Sequence, residues 1–211
     1  MNKKSALLAL LLLLALALSA FSQDDEEKWR NFEVEAYGGL SLPSGTLSDW
    51  NDTLGAKTGY HFGLAGAYYF TDKICVGPYF DYTQFNIKDY TLSYRLYDGG
   101  LYGKYCFVGE SNFEPYVKLT GGVAWPKFAT WIGDDKNILR ELSYDPALNF
   151  GLNIGALYYT SDFGSIFLEL GYHFDLVKDV QSEYAHENFK LMDNVKYINI
   201  RGGLTVFFGP E

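Results

Sequence analysis

After its first two dozen residues, this sequence contains no apolar run long enough to cross a bilayer as a helix. Hydrophobic residues show no helical periodicity, so a helical membrane domain and a helical bundle are both excluded. Basic residues are the minority, with 17 Lys and Arg against 26 Asp and Glu and a net charge of −9. That balance argues against nucleic acid, whose binding depends on cations meeting phosphate. No glycine-rich loop is placed to cradle a phosphate group. The acidic pair Asp134-Asp135 and the pair His186-Glu187 lack the spacing of a calcium loop or a zinc site, so no metal and no cofactor is expected.

The single long apolar run is Ala6 to Leu18, preceded by Lys3 and Lys4 and followed by small residues at Ala20 and Ser22. This is the pattern of a secretory signal peptide over residues 1–22, cleaved before Gln23. No cysteine lies near the cleavage point, which argues against a lipoprotein. Residues 23–31 read as an acidic N-terminal tail, and residues 32–208 as one domain.

What that domain has in abundance is aromatic residues, 18% of the chain, and glycine, at 22 positions. Both arrive in strict alternation. From Leu148 to Tyr158, apolar Leu148, Phe150, Leu152, Ile154, Ala156 and Tyr158 alternate with Asn149, Gly151, Asn153 and Gly155. After a short turn, Ile166, Leu168, Leu170, Tyr172 and Phe174 alternate with Phe167, Glu169, Gly171, His173 and Asp175. Successive side chains of a strand point to opposite faces, so each segment has one apolar and one mixed face. Similar segments cover 32–41, 60–70, 74–84, 96–107, 113–125 and 196–208. Each is about the 9–11 residues that a tilted strand needs to cross a bilayer. None of the apolar-face positions carries a charge, as a lipid-facing wall requires. The connections 42–59, 71–73, 85–95, 109–112, 126–146, 160–163 and 176–195 alternate long and short, as in a transmembrane barrel with turns at one end and loops at the other. The fold class is therefore all-β, an eight-stranded antiparallel up-and-down transmembrane β-barrel. Pro78 falls inside a strand of a ring that has no free edge, which predicts a bulge or local break.

The other face of the strands collects Glu33, Glu35, His61, Asp81, Lys104, Glu114, Lys118, Glu169, His173, Asp175 and Arg201. An eight-stranded barrel is just wide enough inside for side chains, so charges there must be paired. Glu35, Asp81, Lys104, Lys118, Glu169 and Arg201 are the expected polar network of the lumen, with Arg201 between Glu169 on one neighbouring strand and Glu35 on the other. A structural plug is the favoured reading, and a proton or ion path the alternative. Nucleophilic catalysis would need a hydroxyl beside a base. His173 is followed on its face by Asp175, and His61 is flanked there by Gly59 and Gly63, so no catalytic residue is assigned.

The repeated aromatic-glycine-apolar strands, the signal sequence and the closing strand Tyr197-Ile-Asn-Ile-Arg-Gly-Gly-Leu-Thr-Val-Phe-Phe208 resemble the small eight-stranded outer-membrane β-barrels of Gram-negative bacteria, the OmpA/OmpX-like group. The resemblance implies insertion by the barrel-insertion machinery of the cell outer membrane and contact with outer-membrane lipid and lipopolysaccharide. It also implies roles in integrity, adhesion or host contact, without catalysis in most members. The expected function is a structural or surface-interaction role, carried by loops 42–59, 126–146 and 176–195 of a monomer and directed at a surface ligand not specified by sequence. A narrow porin-like channel is the second reading and a lipid A-modifying barrel enzyme the third. Trp50 and Tyr184 are the loop aromatics that could meet a saccharide. In the oxidising periplasm Cys75 and Cys106 become a candidate disulfide. If the strand ends are flush, Ile74 opposes Phe107 and Cys75 opposes Cys106.

Overall fold

Alternating segments of this kind bury one face only by closing on themselves, and a computed structural model shows that closure. It describes residues 30–49, 55–88, 91–107, 111–132, 138–177 and 194–209. The expected signal peptide, the triplet Asn51-Asp52-Thr53 that matches the glycosylation acceptor pattern, Trp50, Asp134-Asp135, Tyr184 and His186-Glu187 lie outside these residues. The strands are β1 (Phe32–Ser44), β2 (Gly59–Tyr69), β3 (Ile74–Asn86), β4 (Ser93–Cys106), β5 (Phe113–Ile132), β6 (Ile138–Ser143), β7 (Ala147–Ser161), β8 (Gly164–Leu176) and β9 (Val195–Phe208). All pairings are antiparallel, in the order β4-β3-β2-β1-β9-β8-β7-β5, and β4 pairs with β5 to complete the ring. The barrel thus has eight strands. The ninth, β6, pairs only with the last residues of β5, from Lys127 to Ile132.

Segment 126–146, expected as a loop, is therefore largely a β-hairpin that extends the wall. β3 and β4 likewise run past their expected ends, to Asn86 and from Ser93. The cause is an inversion of chemistry along each strand. Through the middle of the barrel the apolar residues point outward, and Leu64, Leu101, Leu119, Leu168 and Leu204 are all exposed. Toward the long-loop end the inward positions turn apolar. Phe85, Tyr94, Leu96, Phe128, Val195 and Tyr197 are buried there, while Gln84, Arg95, Lys127 and Lys196 point out. Beyond the exposed apolar belt the strands behave like those of a water-soluble protein, with an apolar core inside.

Pro78 keeps its register with β4, opposite Leu101, and no bulge forms. The β2–β3 ladder lapses instead between Ala65↔Tyr79 and Tyr68↔Val76, with the register unchanged across the gap. A residue without an N–H is thus absorbed as a local break on one side of its strand.

Four Gly-Gly pairs occur, in Tyr37-Gly-Gly-Leu40, Asp98-Gly-Gly-Leu101, Thr120-Gly-Gly-Val123 and Arg201-Gly-Gly-Leu204. The fold brings them together two by two, with Gly38 opposite Gly202 and Gly100 opposite Gly122. These seams, β1–β9 and β4–β5, lie on opposite sides of the eight-strand ring. At each, the backbones approach so closely that a Cβ on Gly39 would collide with the Ile200 carbonyl oxygen, and one on Gly122 with that of Gly99. Bare backbone is what lets a strand bend sharply at a barrel corner. Gly121, next to Gly122, faces outward with nothing within 4 Å of where its Cβ would stand. Gly122→Ala should therefore lower the urea midpoint of the refolded barrel in vesicles, whereas Gly121→Ala should change its stability by no more than about 0.5 kcal/mol. Equal effects of the two substitutions would contradict the close approach.

Candidate functional site: the charged interior

Seven of the inward side chains form a single chain of alternating charge. Lys104 on β4 and Lys118 on β5 are directly opposite one another, a repulsive arrangement on its own. Glu35 of β1 reaches between them, with Lys104 Nζ donating to Oε1 at 2.9 Å and Lys118 Nζ to Oε2 at 2.8 Å. On one side the chain continues from Lys104 to Glu33 at 2.6 Å. On the other it passes from Lys118 to Glu169 at 3.1 Å. Arg201, directly across the β8–β9 ladder from Glu169, donates to it through Nε at 2.6 Å, and its Nη1 lies 3.4 Å from Asp81. The order is Glu33, Lys104, Glu35, Lys118, Glu169, Arg201, Asp81, and all seven residues are fully enclosed.

Arg201 and Glu35, although on neighbouring strands, do not meet directly. The stagger of the closure sets Glu35 opposite Thr205 and Arg201 opposite Gly39, so Lys118 makes the link instead. Expulsion from water explains why every charge is also hydrogen-bonded. Tyrosine hydroxyls supply much of this. Tyr69 and Tyr102 each donate to Glu33 at 2.7 Å, Tyr116 to Glu169 at 2.8 Å and Tyr37 to Asp81 at 2.6 Å. The same rings carry the cations, with the Arg201 guanidinium 4.5 Å from the Tyr37 centroid and Lys118 Nζ 5.0 Å from that of Tyr102. Sequence reasoning had left these inward tyrosines out of the polar network. Their strand parity is the signal that identifies them, since tyrosines also line the outer wall.

The two mouths are closed by different means. At the short-turn end sits Arg30, which sequence had placed in the acidic tail. It donates to Glu114 at 2.9 Å, to the Asp72 carbonyl at 2.6 Å and to the Tyr159 hydroxyl, and it lies 4.3 Å over the Tyr69 ring. Asn31 joins the wall as well, its N–H donating to the Phe208 carbonyl at 2.8 Å. At the long-loop end Leu47, Phe85, Ile87, Tyr94, Leu96, Phe128, Tyr144 and Tyr197 pack into an apolar cluster. Burial pushes the ionisation of the Tyr144 hydroxyl, in the β6–β7 connection, well up from its ordinary value, and nearby Tyr94 adds to the shift.

Beneath that cluster Asp98 lies directly across from Asp81. Its partner is the Tyr197 hydroxyl at 3.2 Å, while Asp175 is held by Asn149. Among the described residues no cation lies within ion-pair distance of either carboxylate. His61 sits between Thr83, at 2.8 Å from Nδ1, and Asp81, at 3.6 Å from Nε2. His173 stacks on Tyr197, with centroids 5.1 Å apart.

Cys75 and Cys106 both point inward and are buried, but they are free thiols. The expected flush register is shifted: Ile74 faces Tyr105, Cys75 faces Lys104, and Cys106 faces Tyr116. The cysteines are thus diagonal neighbours, ~7–8 Å apart by strand geometry, where a disulfide needs Cβ atoms ~3.5–4.5 Å apart. Cys75 Sγ instead approaches Glu33 Oε1 at 3.4 Å.

Arg201 is the only cation within ion-pair distance of Asp81 among the described residues and is shared with Glu169. Replacing it with Met should cost about 3–5 kcal/mol of stability, because Asp81 loses its counter-charge inside the barrel and Glu169 is left with Lys118 alone. Thermal unfolding of the refolded variant in detergent checks this, and an unchanged midpoint would show that Arg201 is not what holds them.

No protein-family model matches this sequence, and no curated protein sequence does. Solved structures match it in fold. Neisserial surface protein A (NspA) superposes with a TM-score of 0.60 at 16% identity, over 84% of this chain and 97% of that one. The outer membrane protein OprG from Pseudomonas aeruginosa gives 0.51 at 13% identity, over 87% and 98%. The chain has the fold of the small eight-stranded outer-membrane β-barrels.

Proposed function

We propose that this protein is a non-conducting barrel of the cell outer membrane that acts as a structural support for surface interactions. The observation that carries this reading is the closure of the interior along its whole length. Arg30 and its aromatic neighbours fill the short-turn mouth, the alternating charges fill the middle, and the apolar cluster fills the long-loop mouth. A belt of exposed Leu, Phe, Val and Ile residues suits a lipid environment, and both ends of the barrel chain lie at the short-turn end. In the outer membrane that end faces the periplasm and the segments joining β1 to β2, β5 to β7 and β8 to β9 face outward. A signal peptide over residues 1–22 would deliver the chain there.

Lipid-modifying catalysis would need a hydroxyl and a base open to lipid. Thr83, His61 and Asp81 do line up as hydroxyl, imidazole and carboxylate, but all three are sealed in the lumen. The surface-interaction role accordingly falls to the outward segments.

In planar bilayers the refolded protein should give no stepwise conductance. In a cell-binding assay, deletion of residues within 178–193 should reduce attachment while the barrel still folds. Discrete conductance steps from the intact chain would overturn the closed-interior reading, and unchanged attachment after loop deletions would overturn the surface role.

A further inference from the structure

Outward-facing cations are scarce on the wall, and two of them are set side by side. Arg95 on β4 and Lys127 on β5 are direct cross-strand partners, and both point away from the barrel. Like charges in this relation destabilise a sheet unless an anion accompanies them. Arg95 has one, with Nη1 3.4 Å from Glu141 of β6, and its Nε donates to the Ser93 hydroxyl at 3.1 Å. Among the described residues Lys127 has no carboxylate partner, and its Nζ lies 5.6 Å from the Tyr97 ring centroid.

Their position on the wall matters as much as their charge. The register aligns Tyr60, Gln84, Arg95 and Lys127 in one row across β2, β3, β4 and β5. One step toward the short-turn end lies a second row, Phe62, Tyr82, Tyr97 and Trp125. The aromatic row is close-knit: Tyr82 and Tyr97 have centroids 5.1 Å apart, and the Tyr82 hydroxyl donates to Gln84 at 2.6 Å. Below it the wall is wholly apolar. The polar row is also where outward residues first become hydrophilic, so it marks the level of lipid headgroups. The opposite wall differs. Leu42, Leu148, Leu176 and Ile198 face out near that end, and among the described residues the single cation there is Lys196, over Phe174.

We propose that the Arg95–Lys127 face binds the phosphorylated sugar headgroup of an outer-leaflet glycolipid. The assignment rests on the outer-membrane reading, which puts the long-loop end of the wall in that leaflet. A phosphate set between the two side chains would meet a guanidinium fork and an ammonium point charge, relieving their repulsion. Tyr97, Tyr82 and Trp125 offer flat faces for the apolar side of the sugar rings, and Gln84 and Tyr60 offer hydrogen bonds. The acyl chains would then lie along Leu101, Leu119 and Phe80 directly below.

The test uses the folded full barrel in detergent micelles, titrated with bisphosphorylated lipid A and read by native mass spectrometry. The Arg95→Gln/Lys127→Gln double variant should bind lipid A at least about tenfold more weakly, which corresponds to losing one charge-assisted contact or more. Lys196→Gln, on the opposite wall, should bind like the unaltered protein. Lipid A stripped of phosphate should bind the unaltered protein as weakly as intact lipid A binds the double variant. Folding of each variant is read from its heat-dependent gel mobility, and Lys127→Glu serves if the double variant does not fold. Equal binding of lipid A by the charge variants, or equal binding of the dephosphorylated lipid, overturns the proposal. Equally tight phosphatidylglycerol binding overturns the sugar part of it. Fractionation of the expressed protein with inner rather than outer membranes would defeat the location reading separately, without altering the micelle result.

Discussion

The carboxylate of Glu35, held between Lys104 and Lys118, is the contact on which the interior depends. Strand pairing forces the two lysines opposite each other, and an ammonium group inside a barrel has no water to disperse its charge. A single carboxylate with one oxygen on each lysine turns that conflict into a bridge from β1 to the far wall. The remaining links follow from it. Each lysine has a second carboxylate, Glu33 or Glu169, and the latter brings in Arg201 and then Asp81. Because seven charges on six strands are mutually satisfied, removing one takes a partner from each buried charge beside it, and burial then costs more. Such an interior stiffens the wall by cross-bracing it, rather than by apolar packing.

Much of the wall was legible in the sequence because lipid outside and a polar plug inside impose a strict two-residue alternation. The alternation marks each strand for as long as it lies in the apolar belt. It fails where the belt ends, since Phe85, Tyr94 and Phe128 face inward and Gln84, Arg95 and Lys127 outward. An outward apolar pattern cannot follow strands through that reversal, which is why the β5–β6 hairpin read as a loop. Within the lumen, the Glu169–Arg201 pair was readable from adjacency of strands. The role of Lys118 in place of a Glu35–Arg201 contact was not, because it depends on the stagger at closure. The same kind of shift, two residues along β4, separates Cys75 from Cys106. Arg30 was hidden by its neighbours: it follows Asp24-Asp25-Glu26-Glu27, and nothing in an acidic run signals that its last cation turns into the barrel.

Charge inside and aromatic rings outside divide the labour of the molecule. The braced lumen keeps the ring closed and its mouths sealed, so the outward segments stand on a fixed frame. The two Gly-Gly seams let neighbouring backbones of that frame approach closely, on opposite sides of the ring. The rim above the aromatic row then differs from one side to the other, with paired cations on β4 and β5 facing a mostly apolar opposite wall. A barrel with a sidedness of this kind would sit among its lipids in a preferred orientation, and its loops would be presented accordingly.

The enclosure of Lys104 and Lys118 is the central physical claim, and lysine-selective nitrogen NMR in lipid nanodiscs reads it directly. Ammonium protons exposed to water exchange too fast to be seen at neutral pH and ambient temperature. If the two lysines are held by Glu33, Glu35 and Glu169 as described, their ammonium signals should persist under those conditions, and each should vanish on substitution of its own lysine by Met. Rapid exchange of all lysine ammonium groups would mean that water reaches the middle of the barrel, contradicting a closed and braced interior.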